Sequence, residues 1–75
     1  MLTLKLENDG KSRTQTIECG SVSVEWINDD AKIVVTTPDG EKMFRVSKVG
    51  EFNVGYVENA RGATTQIIRP NGART

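Results

Sequence analysis

The run Val22-Ser23-Val24-Glu25-Trp26-Ile27, the polar break Asn28-Asp29-Asp30 and the run Ala31-Lys32-Ile33-Val34-Val35-Thr36-Thr37 decide how this chain folds. With Asp29-Asp30 as a two-residue loop, Trp26 faces Ile33 and Val24 faces Val35. Side chains alternate across a strand, so Val22, Val24, Trp26, Ile33 and Val35 collect on one face. Ser23, Glu25, Lys32 and Thr36 collect on the other, interrupted by Ile27 and Val34. A four-residue loop from Asn28 to Ala31 keeps the same faces. Val, Ile, Thr and Trp fit a pleated, half-buried surface, and each fully buried aliphatic side chain contributes roughly 1.5–3 kcal/mol. This hairpin, with the one Trp, is the expected nucleus of the core.

Turn signals recur on both sides of it: Asn8-Asp9-Gly10, Gly20-Ser21, Pro38-Asp39-Gly40, Gly50, residues 59–62 and Asn71-Gly72. Such punctuation between β-rich runs predicts an all-β fold of six to seven short antiparallel strands. No window carries a helical period. A meander closed into a small barrel is the expected architecture, with a two-sheet sandwich as the alternative, since either hides strand edges. The domain is expected to span residues 1–70, followed by a flexible tail at 71–75.

Strand by strand, Leu2, Leu4 and Leu6 point inward. Asp9-Gly10 is a type I′ hairpin signal that sets Leu2 opposite Ile17; a three-residue loop instead places Thr14 and Thr16 beside the leucines. The run from Ser12 to Cys19 is the least hydrophobic and reads as an edge strand, or as one that pairs with another subunit. At Pro38-Asp39-Gly40 a four-residue loop pairs Ile33 with Phe44 and Ala31 with Val46, which buries more than a three-residue loop would. Further on, Phe52, Val54 and Tyr56 are expected on the inner face. Gly55 among them marks a bulge, a corner or a close backbone approach. A loop over residues 59–62 then pairs Val54 with Ile67 and Phe52 with Arg69. That register leaves Val57 and Ile68 facing outward.

The chain has 75 residues, with ten basic and ten acidic side chains, no His and one Cys. One domain is expected, near the size at which a single core just suffices. A lone Cys19 builds no disulfide and has no His to activate it. Ser/His, Cys/His and zinc constellations are absent from the sequence. The acids sit at turns or on outward strand positions, and Asn28, Asp29 and Asp30 lack the spacing of a calcium loop. No enzyme activity, catalytic residue, metal or cofactor is therefore expected. The N-terminus has no basic region followed by an apolar block, and no run is long enough to span a membrane. A cytoplasmic protein without membrane contact is expected.

Two classes of function remain. Ile27, Val34, Val57 and Ile68, all outward in these registers, form a second apolar set that calls for a partner if clustered. The reading is a small accessory protein, of the kind viruses encode, that self-assembles as a homo-oligomer or docks on a protein partner to modulate or inhibit it. The alternative is single-stranded nucleic-acid binding through Tyr56, Arg61 and Arg69, as small barrels achieve with aromatics flanked by cations. The zero net charge weighs against it.

Overall fold

A computed structural model describes residues 1–8 and 13–70. Seven strands form two antiparallel sheets: β1 (Leu2–Asn8), β2 (Arg13–Cys19), β3 (Ser21–Ile27), β4 (Asp30–Thr37), β5 (Gly40–Val46), β6 (Val54–Glu58) and β7 (Thr64–Ile68). One sheet has the order β2-β1-β6-β7 and the other β3-β4-β5. Between the strands of the two sheets there is no ladder; one isolated parallel bridge joins Val46 to Phe52 where the chain crosses over. The sheets do not close into the expected barrel, and the sandwich alternative describes the molecule.

The central hairpin forms with its faces as expected and its register moved by two residues. Trp26 pairs with Ala31, Val24 with Ile33 and Val22 with Val35. The loop is Asn28-Asp29 because Asn28 takes the left-handed conformation, φ 57°, which Asn tolerates better than most residues. A shift of two preserves parity, so Ile33 and Val35 still lie in the core. Trp26 packs against that core but is only half-buried, since β3 is an edge strand. The next register is the expected one: Ile33 pairs with Phe44 and Ala31 with Val46. Gly40, at φ 118°, supplies the conformation the turn needs.

In the four-stranded sheet, Leu4 pairs with Ile17 and Leu6 with Gln15, two residues from the tight-turn register and again with parity kept. Asp9-Gly10 and the tail at 71–75 lie outside the described residues. The edge position expected for β2 holds.

Phe52 is in the core as expected and Val54 is buried too, but within the last hairpin the faces of Tyr56 and Ile67 against Val57 and Ile68 are reversed. Leu4 pairs with Val57 and Leu6 with Gly55, while Gly55 pairs with Ile68. The inward row of β6 is thus Gly55 and Val57, and Tyr56 turns away. Val57 is 3% exposed and Ile68 0%; both belong to the core and neither contributes to an outer apolar patch. The cause is steric. A Cβ on Gly55 would come within 3.3 Å of Leu6 Cδ2, 3.5 Å of Ile33 Cδ1 and 3.7 Å of Ile68 Cβ. Both sheets fill the space that this glycine leaves, which is the close approach anticipated from its place in a strand.

Residues 47–53 carry the chain between sheets and are tied down by a buried side chain. Asn8 Nδ2 donates to the carbonyls of Glu51 (2.7 Å) and Gly50 (3.3 Å). The Asn53 amide donates to Glu7 O at 2.9 Å, and the Ser47 amide to Phe52 O at 3.0 Å.

Neighbouring residues report the reversed faces directly. Ile68→Ala is expected to cost about 2–5 kcal/mol in urea unfolding. Ile67→Ala, at a position 50% exposed, is expected to cost less than about 1 kcal/mol. Equal losses at the two sites would contradict the observed parity.

Candidate binding surfaces

The apolar set expected to bind a partner is broken up by the fold. Val57 and Ile68 are buried, leaving Ile27 and Val34 on the outer face of the three-stranded sheet. Ile27 pairs with Asp30 at the hairpin end, whereas Val34 lies four residues further along β4 between Ser23 and Met43. At roughly 3.3 Å per residue that separates them by about 13 Å. They form no continuous patch with each other. The apolar neighbour of Val34 is Met43, 62% exposed, a residue the sequence pattern did not single out.

The cationic set is partly assembled. Val54, Tyr56, Arg69 and Pro70 line an open groove of about 360 Å³ together with Lys48 and Asn53 from the crossover. Tyr56 faces away from the core between Lys5 on β1 and Ile67 on β7, so its ring is half-buried rather than enclosed. Among the described residues no carboxylate lines the groove. Among the described residues Arg69 has no ion-pair partner, while Lys5 is neutralised by Glu58 at 3.3 Å and Arg13 by Glu51 at 3.3 Å. Arg61 is elsewhere. It sits in the turn over residues 59–62, where its amide donates to Asn59 Oδ1 at 2.9 Å. That is the opposite end of the β6–β7 hairpin. Lys48 escaped notice in the sequence because only the crossover, anchored through Asn8, brings it beside Arg69.

Among the described residues β2, β7, β3 and β5 are the edge strands, and they are not alike. On β2 the exposed residues are Arg13, Thr14, Gln15, Thr16 and Glu18, a polar edge that discourages strand addition. β7 is interrupted by a register shift at Val57/Glu58, with Thr65 Oγ1 donating to Val57 O at 3.2 Å; a bulge twists an edge away from pairing. In the other sheet the β3 edge is regular, whereas the β5 edge is covered at its end, where Phe52 bridges Val46. Ile27 and Asp30 close a two-residue turn, so they exchange both ladder hydrogen bonds and the pairs alternate from there. Val22, Val24 and Trp26 therefore aim their amides and carbonyls at the free edge. Their side chains lie on the inner face, half-buried and packed against the core.

A second cavity of about 260 Å³ is lined by Met1, Glu18, Cys19, Gly20, Thr36, Thr37 and Pro38. Burial pushes the Cys19 thiol above its ordinary value, partly opposed by the N-terminal ammonium. The thiolate is the reactive form, so this sulfur is poorly suited to nucleophilic work. Among the described residues no three metal-ligating side chains converge, and no helix is long and apolar enough to cross a membrane.

Comparison with protein-family models, with curated proteins and with solved structures finds no match to this chain.

Two measurements follow from this geometry. Asn8→Ala removes the side-chain donor from the part-buried Gly50 and Glu51 carbonyl contacts and is expected to cost about 0.5–1.5 kcal/mol, with faster amide exchange confined to residues 47–53 and the end of β1. Iodoacetamide is expected to alkylate native Cys19 more slowly than a free thiol at pH 8, and at the ordinary rate once urea unfolds the chain. Alkylation of the native thiol at the free-cysteine rate would contradict its burial.

Proposed function

We propose that this protein is a non-enzymatic interaction module that captures an extended segment of a partner protein along the free edge of β3. The observation that supports the reading is the row Val22, Val24 and Trp26. It is apolar, half covered, and accompanied by backbone groups that find no partner on that side among the described residues. An added strand satisfies those amides and carbonyls, and its alternate side chains complete the cover over the row. Trp is enriched among the few residues that dominate interface energies, and half-buried Trp26 stands at this edge. An accessory or inhibitory role fits such a module, because strand capture occupies a segment of the partner without chemistry.

Selection of short peptides from a displayed random library tests the reading. The expected outcome is peptides with alternating apolar residues whose binding shifts Trp26 emission to shorter wavelength. Trp26→Ala is expected to weaken them at least about tenfold, a loss of roughly 1.4 kcal/mol or more. Peptides that bind without disturbing Trp26, or that bind the Ala variant equally, would place recognition elsewhere.

A second reading, single-stranded nucleic-acid binding, is supported by the convergence of Lys48, Tyr56 and Arg69 on one groove. Stacking on the ring with phosphate contacts from the cations is the mode such a groove serves. A fluorescence titration with short oligonucleotides is expected to show affinity that falls as salt rises and falls again in Arg69→Glu. Absent or salt-insensitive binding removes this reading.

A further inference from the structure

We propose that the β3 edge is closed in the free protein by β3 of a second copy, antiparallel, about a two-fold axis through Val24. The proposal rests on the strand-capture reading above and names what occupies that edge until a partner segment arrives. Alternation from the Ile27–Asp30 pair turns the amides and carbonyls of Val22, Val24 and Trp26 away from β4. At the far end of the strand the Gly20 amide donates to Thr36 O at 2.7 Å, beside the Ser21–Thr36 pair, so the backbone there faces β4 as the alternation requires. Among the described residues nothing bonds to the outward groups, and the bridge that closes the end of β5 has no counterpart on β3. An axis through Val24 sets Val24 against Val24 of the second copy, and Val22 against Trp26 of the second copy in both directions. It is the one antiparallel two-fold register in which all three of these residues meet one another.

The side chains agree with that register. On the inner face each half-buried Trp26 lies across from a Val22, an aromatic and β-branched pair that favours antiparallel pairing, and the two Val24 side chains meet at the axis. On the outer face Ser23 faces Glu25 and Ser21 faces Ile27. No like charges stand directly opposite, and each Glu25 keeps Lys32 across its own ladder. Between Ser21 and Ile27 the strand has no lysine, no proline and no inward charge, the devices by which an edge refuses another strand. An isologous contact of this kind is self-complementary by symmetry, and the zero net charge raises no long-range barrier to it. Self-pairing and capture use the same backbone groups, so they exclude one another. The edge is released to a partner segment only as the dimer opens.

Sedimentation over a concentration series reaching about 1 mM, where a dimer of even millimolar affinity is populated, tests the proposal. The wild type is expected to show a monomer–dimer equilibrium, with Trp26 emission moving to shorter wavelength as the dimer forms. Val24→Pro removes an amide that faces away from β4, a change that edge strands tolerate. It is expected to weaken association at least about tenfold while urea unfolding stays cooperative. Register is read by mixing Ser23→Cys chains with Glu25→Cys chains under mild oxidation. Facing residues outside the hydrogen-bonded pairs have Cα atoms about 4.5 Å apart, within disulfide reach, so the mixture is expected to cross-link faster than either variant alone. A wild type that stays monomeric throughout, a folded Val24→Pro that associates as well as wild type, or a mixture that cross-links no faster than its components overturns the proposal. A peptide that shifts Trp26 emission is expected to return the dimer to monomer, and one that shifts it without opening the dimer also overturns the proposal. Peptide capture by a wild type that never dimerises leaves the capture reading standing alone; a dimer of the expected register for which no peptide is selected supports the proposal and removes capture.

Discussion

The sandwich is held at the distance set by one missing side chain. Where β6 passes between Leu6 and Ile68, the position facing the opposite sheet is Gly55, and Ile33 from β4 reaches into the space. Interiors are packed to the density of organic crystals, so this contact leaves no slack for another methyl group without movement nearby. The arrangement fixes more than a spacing. Because Gly55 is inward, Val57 is inward, Tyr56 is outward, and the pairing partner Ile68 is drawn into the core. Every surface on the four-stranded sheet inherits its orientation from that choice.

The same glycine explains where sequence reasoning failed. Counting apolar side chains in residues 51–59 favours Phe52, Val54 and Tyr56 over Gly55 and Val57, since glycine adds nothing to a hydrophobic count. The inner row is set instead by fit against Leu6 and Ile33, contacts between residues far apart in sequence. Elsewhere the alternation was legible. The faces of β1, β3 and β4 follow from period two, and the Pro38-Asp39-Gly40 turn yielded the register of β4 with β5. Registers set by turns without a proline slipped by two, as at Asn28, where the left-handed backbone moved the loop by one position. Such slips leave the faces intact, so they cost little in reading the core. The groove was half legible: Tyr56 and Arg69 were named, Arg61 proved remote, and Lys48 arrives through a crossover whose path local sequence does not encode.

The surfaces divide by sheet. The four-stranded sheet guards its edges with polar residues on β2 and a bulge on β7, and has Arg69 beside the groove that Tyr56 lines. The three-stranded sheet has an apolar, half-covered edge at β3 and a charged edge at β5 that the Val46–Phe52 bridge closes at one end. A protein of this size has few ways to bury surface, and a sheet that is still extendable along β3 is the part of the fold with most to gain from company. The zero net charge agrees with this division, since no long-range repulsion opposes close approach of another chain.

The order of the strands carries a consequence for synthesis. The three-stranded sheet is built from consecutive hairpins and closes as soon as its residues are available. Strand β1 pairs with β6 across most of the chain, and Asn8 reaches Gly50 and Glu51 over sequence separations of 42 and 43 residues. Contacts of such span bear the entropy of closing a long loop before they return any stability, and they slow folding. During translation, therefore, Leu4 and Leu6 leave the ribosome long before the strand that will flank them exists. For that interval the nascent chain carries an uncapped leucine strand, which makes its vulnerability to aggregation greatest before its last third is made.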